Sequence, residues 1–153
     1  MGMTLTKDTI EESIGQEVGV SEWVEMTQES VNTFADITRD HQFIHIDEEK
    51  AAQTPFGGTI VHGFFTVSML SHFSETGCGI NFEGAKMGLN YGSDKLRFLN
   101  PVRVGSRIRG RAKLLSVVEK NPGQFLVKTE MVVEIENVEK PALITEWLTM
   151  IIT

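Results

Sequence analysis

The segment from His62 to Gly77, HGFFTVSMLSHFSETG, limits what this chain can fold into more than any other. Wound at about 3.6 residues per turn, it places Phe64, Phe65, Val67, Met69, Leu70 and Phe73 on nearly every side, and a helix that is apolar all round belongs inside a protein. Such a helix needs a cover. After Gly88 come LNYGSDKLRFL, SRIRGRAKLLSVVEK, QFLVKTEMVVEIEN and PALITEWLTMIIT, each 11 to 15 residues long and separated by Asn-Pro, Val-Gly or Asn-Pro-Gly. These read as long antiparallel strands. In the second, Ile108, Ala112 and Leu114 alternate with Arg107, Arg109, Arg111 and Lys113, so one face packs on a core while the other meets water. With an earlier strand near Gln16 to Met26, the layer rule predicts an α+β fold, a curved antiparallel sheet wrapped around one central helix.

The first half supplies loops and short helices. Thr27 is placed to cap a helix that ends near Thr38 and carries an apolar stripe of Val31, Phe34 and Ala35; Asp47 is placed to cap a second over Glu48 to Ala52, before Thr54-Pro55 and Gly57-Gly58 break the chain. At roughly 100 to 200 residues per domain, 153 residues predict a single domain spanning 1–153. Fourteen basic against 21 acidic residues give a net charge of −7, which argues against a nucleic-acid partner. The single Cys78 has no internal partner for a disulfide and fits a reducing compartment. The first thirty residues hold no apolar stretch resembling a signal peptide, and the run from Ile60 to Leu70, interrupted by His62 and Gly63, falls short of the ~20 residues of a membrane span. The expectation is a cytoplasmic protein with no membrane partner.

Chemistry concentrates in Asp40-His41-Gln42-Phe43-Ile44-His45-Ile46-Asp47, a loop-like stretch between two predicted helices. A carboxylate and an imidazole that converge on one water can take its proton and deliver another, which makes Asp40 and His45 the leading pair. The plainer alternative is an Asp that caps a turn and a His held by structural hydrogen bonds. A metal site built on His41 and His45 would need an i, i+4 helical face through a predicted break, and no HExxH or spaced Cys/His set is present, so none is expected. No G-x-S-x-G elbow exists, and Cys78 between two glycines reads as an inert small residue. The run Gly57 to Gly63 leads directly into the apolar helix, whose first N–H groups, near Gly63, are free to polarise a carbonyl oxygen or are simply a helix start. His62 is either a supporting residue or a structural one; His72 reads as structural.

The spacing Asp40-x4-His45-x-Asp47, followed by Ile60-Val61-His62-Gly63 and a long apolar helix, resembles the MaoC-like (R)-specific enoyl-CoA hydratases and dehydratases of the hotdog-fold superfamily. DHQFIHID, TPFGGTIVHGF and LNYGSDKLRFLNPVRVG resemble in particular the nodulation protein N branch of that family. The resemblance covers nearly the whole chain. It implies a sheet wrapped around the Gly63 to Glu75 helix, a homodimer, and an acyl-CoA or acyl carrier protein thioester as substrate, with no cofactor. It also implies a catalytic dyad of Asp40 and His45, a carbonyl-polarising N–H at Gly63, and Ser71 and His62 as supporting residues. Phe43, Ile60 and Val61 would then line the substrate pocket. Hydratases of this family usually carry Asn-Pro where this chain has Gln42-Phe43, a difference that bears on pocket shape.

Two other functions fit the same resemblance. Hotdog thioesterases often place an acidic residue on the central helix, whereas here the helix body offers Ser68, Ser71 and His72, with Glu75 at its far end. A non-catalytic acyl-thioester-binding protein would keep the dyad without turnover. Charge adds one more expectation. Lys95, Arg97, Arg103, Arg107, Arg109, Arg111 and Lys113 lie within 19 positions that contain no Asp or Glu. They form either a solvated strand face or a patch that steers the phosphates of the carrier, with Arg103, in the Pro101 to Gly105 turn, the expected contact.

Overall fold

A computed structural model of the chain describes residues 2–153. In order, the elements are β1 (Met3–Leu5), α1 (Ile10–Ser13), β2 (Glu17–Val20), β3 (Val24–Glu25), α2 (Gln28–Thr38), α3 (Phe43–Ile46), α4 (Glu48–Ala52), α5 (Gly63–Ser68) and α6 (Leu70–Phe73). A wider π-type turn over Ser74–Cys78 follows, then β4 (Ile80–Phe82), β5 (Met87–Phe98), β6 (Arg107–Asn121), β7 (Gln124–Ile135) and β8 (Val138–Ile152). The main sheet is antiparallel in the order β2-β6-β7-β8-β5, with β3 also on β6, while β1 and β4 form a small parallel pair.

The expected caps form. Thr27 Oγ1 accepts from Ser30 N–H at 3.1 Å, and Asp47 Oδ1 accepts from Lys50 N–H at 3.0 Å, each satisfying an amide that its helix leaves open. The strands keep the period-2 pattern: Ile108, Ala112 and Leu114 of β6 are fully buried, and every second residue of β7 from Phe125 to Ile135 is buried. Leu70 and Phe73 complete this core from the helical side. Phe73 is seated over β6 at Gly110, where a Cβ would lie 2.8 Å from the Phe73 Cβ, so the absence of a side chain sets how closely helix and sheet approach.

Four details depart from the sequence reading. The central helix is interrupted at Met69 and widens at its end, where Gly77 adopts φ 155°. It is also not buried on every side: Phe64 is 69% exposed, and Ser68, Ser71, His72 and Glu75 face outward with it. Those five residues recur at helical spacing, a stripe that the count of apolar residues obscured. The early strand is split into β2 and β3 around Ser21, whose Oγ accepts from Gly110 N–H at 2.9 Å. Finally, the stretch expected to be a loop contains a helical turn, α3.

Candidate active site

The site is assembled where three backbone segments meet. Val61 N–H donates to Val102 at 2.8 Å and Val104 N–H to Thr59 at 3.0 Å, so residues 59–61 run antiparallel to 102–104. On its other side the same segment holds α3, with Ile60 N–H donating to Ile44 at 2.9 Å. Gln28, at the start of α2, clamps both: its Nε2 donates to the His45 carbonyl at 2.8 Å and its Oε1 accepts from Thr59 Oγ1 at 2.7 Å. The α3 turn therefore delivers His45 inward, where the residue is only 6% exposed.

His45 Nδ1 donates to the Ile60 carbonyl at 2.7 Å, which fixes the tautomer and leaves Nε2 as a lone pair. Burial lowers the His45 pKa below its ordinary value, with His62 adding to the effect, against the opposing pull of the Ile60 hydrogen bond and of Asp40. A ring that stays neutral near pH 7 is an acceptor at Nε2. Asp40 follows Arg39, which ends α2 in a left-handed conformation (φ 64°), and its exposed carboxylate accepts from Gln42 N–H at 3.3 Å.

Side-chain donor atoms of Asp40, His45 and His62 lie within 4.8 Å of one another. The two imidazoles are stacked, with centroids 3.8 Å apart and planes inclined at 23°. Stacked rings carry their lone pairs side by side instead of converging on one ion, so this arrangement suits proton transfer better than tetrahedral metal coordination. His41, part of the metal alternative, turns the other way and meets Asp36 at 2.8 Å. Cys78 is buried, and burial pushes its thiol up to about 11, far from a reactive thiolate.

Two cavities meet at this point. One of about 430 Å³ is lined mainly by apolar groups, among them Phe56, Ile60, Val61, Phe98 and Leu143; the other, of about 290 Å³, is lined by Phe34, Thr38, Asp40 and His62. His45, Gly63 and Phe64 line both. Gly63 is the first residue of α5, so its N–H has no acceptor within the helix. A Cβ on it would come within 2.8 Å of the Phe98 ring.

Of the residues expected at the site, Asp40, His45, His62 and Gly63 come together, and Ile60 and Val61 line the larger cavity. Phe43 lines neither; it is 41% exposed, and its carbonyl closes the α3 turn. Ser71 lies on a separate cavity of about 370 Å³ with Ser74, Glu75 and Cys78. The helix interruption and outward stripe carry it away from Asp40 and His45 within this chain.

Arg103 Nη1 donates to the Phe56 carbonyl at 2.6 Å, and its guanidinium lies over Gly58, which places it where Phe56, Asn100 and Pro101 border the larger cavity. The remainder of the basic stripe is largely neutralised by neighbouring strands and turns. Arg107 pairs with Glu136, Arg109 with Glu134, Arg111 with Glu134 and Glu17, and Lys95 with Glu146. Sequence reading missed Gln28, Phe34, Phe56 and Phe98. Their roles depend on contacts 15 or more residues away, for which no local pattern exists.

The family described as MaoC like domain matches residues 9–138. The chain is 48% identical over 139 residues to Nodulation protein N of Rhizobium leguminosarum bv. viciae, covering 90% of this chain and 86% of that one. It is 45% identical over 132 residues to 3-hydroxyacyl-thioester dehydratase Z of Mycobacterium tuberculosis, covering 86% of each. The fold superposes on the (R)-hydratase from A. caviae involved in PHA biosynthesis with a TM-score of 0.71 at 22% identity, over 89% of this chain and 94% of that one, which makes the sheet and its central helix a hotdog fold. With a family match across most of its length and relatives at this identity, the chain belongs to the MaoC-like dehydratase family.

Proposed function

We propose that this protein is an (R)-specific enoyl-CoA hydratase and 3-hydroxyacyl-CoA dehydratase, a hydro-lyase that adds water reversibly to a 2-enoyl thioester. The observation that carries this reading is His45 itself, a buried neutral imidazole whose Nδ1 is tied to the Ile60 carbonyl and whose Nε2 is left beside Asp40 where the two cavities meet.

In the hydration direction, water held between the Asp40 carboxylate and His45 Nε2 gives a proton to the imidazole as its oxygen bonds to the β carbon. The electrons of the double bond move toward the thioester oxygen, where the Gly63 N–H meets the growing charge. Loss of one such donor costs about 2.7 to 4 kcal/mol in other enzymes. The imidazolium, balanced by Asp40, returns the proton to the α carbon. Water's OH and H are both delivered, and the dyad is restored. The apolar cavity takes the acyl chain, while Arg103 at its border is placed to meet the phosphates of coenzyme A or of an acyl carrier protein. The unit is residues 1–153 as one domain, acting in the cytoplasm as a homodimer that uses the open edge of β5. Along that edge and beside it, Met87, Leu89, Tyr91, Phe98 and Phe64 are all more than half exposed.

The deciding experiment incubates the purified protein with crotonyl-CoA and longer 2-enoyl-CoAs, following the conjugated double bond and free thiol in the same sample. Loss of the double bond without thiol release is expected. Thiol release instead identifies a thioesterase, and binding with neither reaction identifies an acyl-thioester-binding protein.

A further inference from the structure

We infer that His62 is a positioning residue that holds Asp40 in place through its main chain and keeps the neighbouring His45 ring uncharged by lying flat against it; this rests on the dehydratase reading of the site. His62 is 3% exposed, and its Nε2 donates to the Asp40 carbonyl at 3.0 Å, a bond that joins positions 22 residues apart. Among the described residues Asp40 itself is otherwise tied only locally, by bonds of 3.4 Å to Thr38 and 3.3 Å to Gln42. The carboxylate therefore takes its place in the cavity chiefly from the His62 imidazole. Phe34 of α2 fixes that imidazole in turn, 5.0 Å away and itself stacked on Phe65.

His62 also acts on His45 electrostatically. With Nε2 carrying the proton given to Asp40, His62 is neutral only while Nδ1 is bare, and Nδ1 is buried without a hydrogen-bond partner among the described residues. A second proton there would create a buried cation stacked 3.8 Å from His45. The two rings thus cannot both be charged. The titratable groups that face His45 are His62 at the start of α5 and Asp40 from the α2–α3 connection; Gln28 of α2 and the Ile60 carbonyl are neutral.

Two substitutions separate the roles. His62→Phe keeps a flat ring against His45 but removes the donor, whereas His62→Gln keeps an N–H near the Nε2 position but removes the ring. For His62→Phe we expect kcat to fall on the order of 100-fold with KM little changed, as misplacement of one catalytic group by about 1 Å produces. For His62→Gln we expect most of kcat to survive, with the acid limb of the pH profile moved to higher pH because His45 no longer faces a second imidazole. The His45 ring titration, followed by NMR in wild type and His62→Gln, reads the same shift without any turnover. It therefore stands or falls separately from the dehydratase assignment, and it decides the matter should His62→Phe fail to fold. Full kcat in His62→Phe, or an unmoved His45 titration in His62→Gln, would overturn the inference.

Discussion

The dyad makes a quantitative demand that a structural histidine and a capping aspartate would not. Asp40→Asn is nearly isosteric at an exposed position, and its Oδ1 still accepts from Gln42 N–H, so the fold should notice little. His45→Asn is the informative partner. An asparagine N–H reaches roughly where Nδ1 sits and can still satisfy the Ile60 carbonyl, avoiding the ~1 to 3 kcal/mol cost of a buried orphan acceptor, while Nε2 disappears. General acid–base groups contribute about 10² to 10⁴ in rate, or roughly 2.7 to 5.4 kcal/mol at about 1.36 kcal/mol per decade. If the two acted independently, the double substitution would lose about 10⁴ to 10⁸. Acting on one water, they should lose about as much together as either does alone. Steady-state hydration of a 2-enoyl-CoA by the four proteins, each checked by its melting temperature, measures the coupling. Losses that multiply, or an Asp40→Asn enzyme that keeps most of its activity, would refute the dyad.

Removing charge at Arg103 tests the carrier site: an exposed ion pair is worth about 0.2 to 1 kcal/mol, so Arg103→Ala should raise KM roughly 1.4- to 5-fold at low ionic strength, with kcat unchanged and the effect fading toward 1 M salt. Arg107→Ala, whose cation is already occupied by Glu136, should leave KM alone, and an unaltered KM in Arg103→Ala would reduce the patch to a solvated face. Gly110→Ala would press a methyl group against the Cβ of Phe73, where neither backbone has a flexible end to move, so a loss of about 1 to 3 kcal/mol and a clear fall in melting temperature by circular dichroism are expected. A stable Gly110→Ala protein would mean that the helix does not bear on β6 there. Sedimentation at micromolar concentration should return twice 17.1 kDa for the wild type and 17.1 kDa for Leu89→Glu on the open β5 edge; a wild-type mass of 17.1 kDa would remove the dimer.

What could be read from the sequence was whatever has a short period or a local cap. Thr27 and Asp47 announce their helices because capping depends on the next three residues, and β6 announces its faces because arginines alternate with Ile108, Ala112 and Leu114. The ion-pair partners of the basic stripe are hidden for the complementary reason. Its acids, Glu17, Glu134 and Glu136, lie far along the chain and reach the arginines only after β2 and β7 flank β6. The central helix shows the same limit, since six apolar residues conceal a polar stripe of Ser68, Ser71, His72 and Glu75 that appears only when positions are counted at three and four apart. At the site, Asp40 and His45 were legible as a spacing, but the tie from Gln28 and the packing of Phe34 were not, because both join α2 to segments it meets only in the folded chain.

The spacing Asp40-x4-His45-x-Asp47, followed by Ile60 to Gly63, then takes on a mechanical meaning. Asp40 and His45 straddle a single helical turn, so the intervening residues set how far the carboxylate lies from the imidazole. Asp47 takes no part in that pairing; its carboxylate caps α4, and its N–H bond to the Phe43 carbonyl, at 3.0 Å, closes the turn that holds His45. The second segment answers residue by residue. Ile60 accepts the His45 proton, Val61 anchors the strand to Val102, His62 holds the Asp40 backbone, and Gly63 leaves room for Phe98 over an open amide. A change at Asp47 should therefore lower activity only as far as it loosens the fold, whereas a change at Asp40 or His45 should abolish activity in a protein that still folds. That difference, and not the spacing alone, separates chemistry from architecture within one motif.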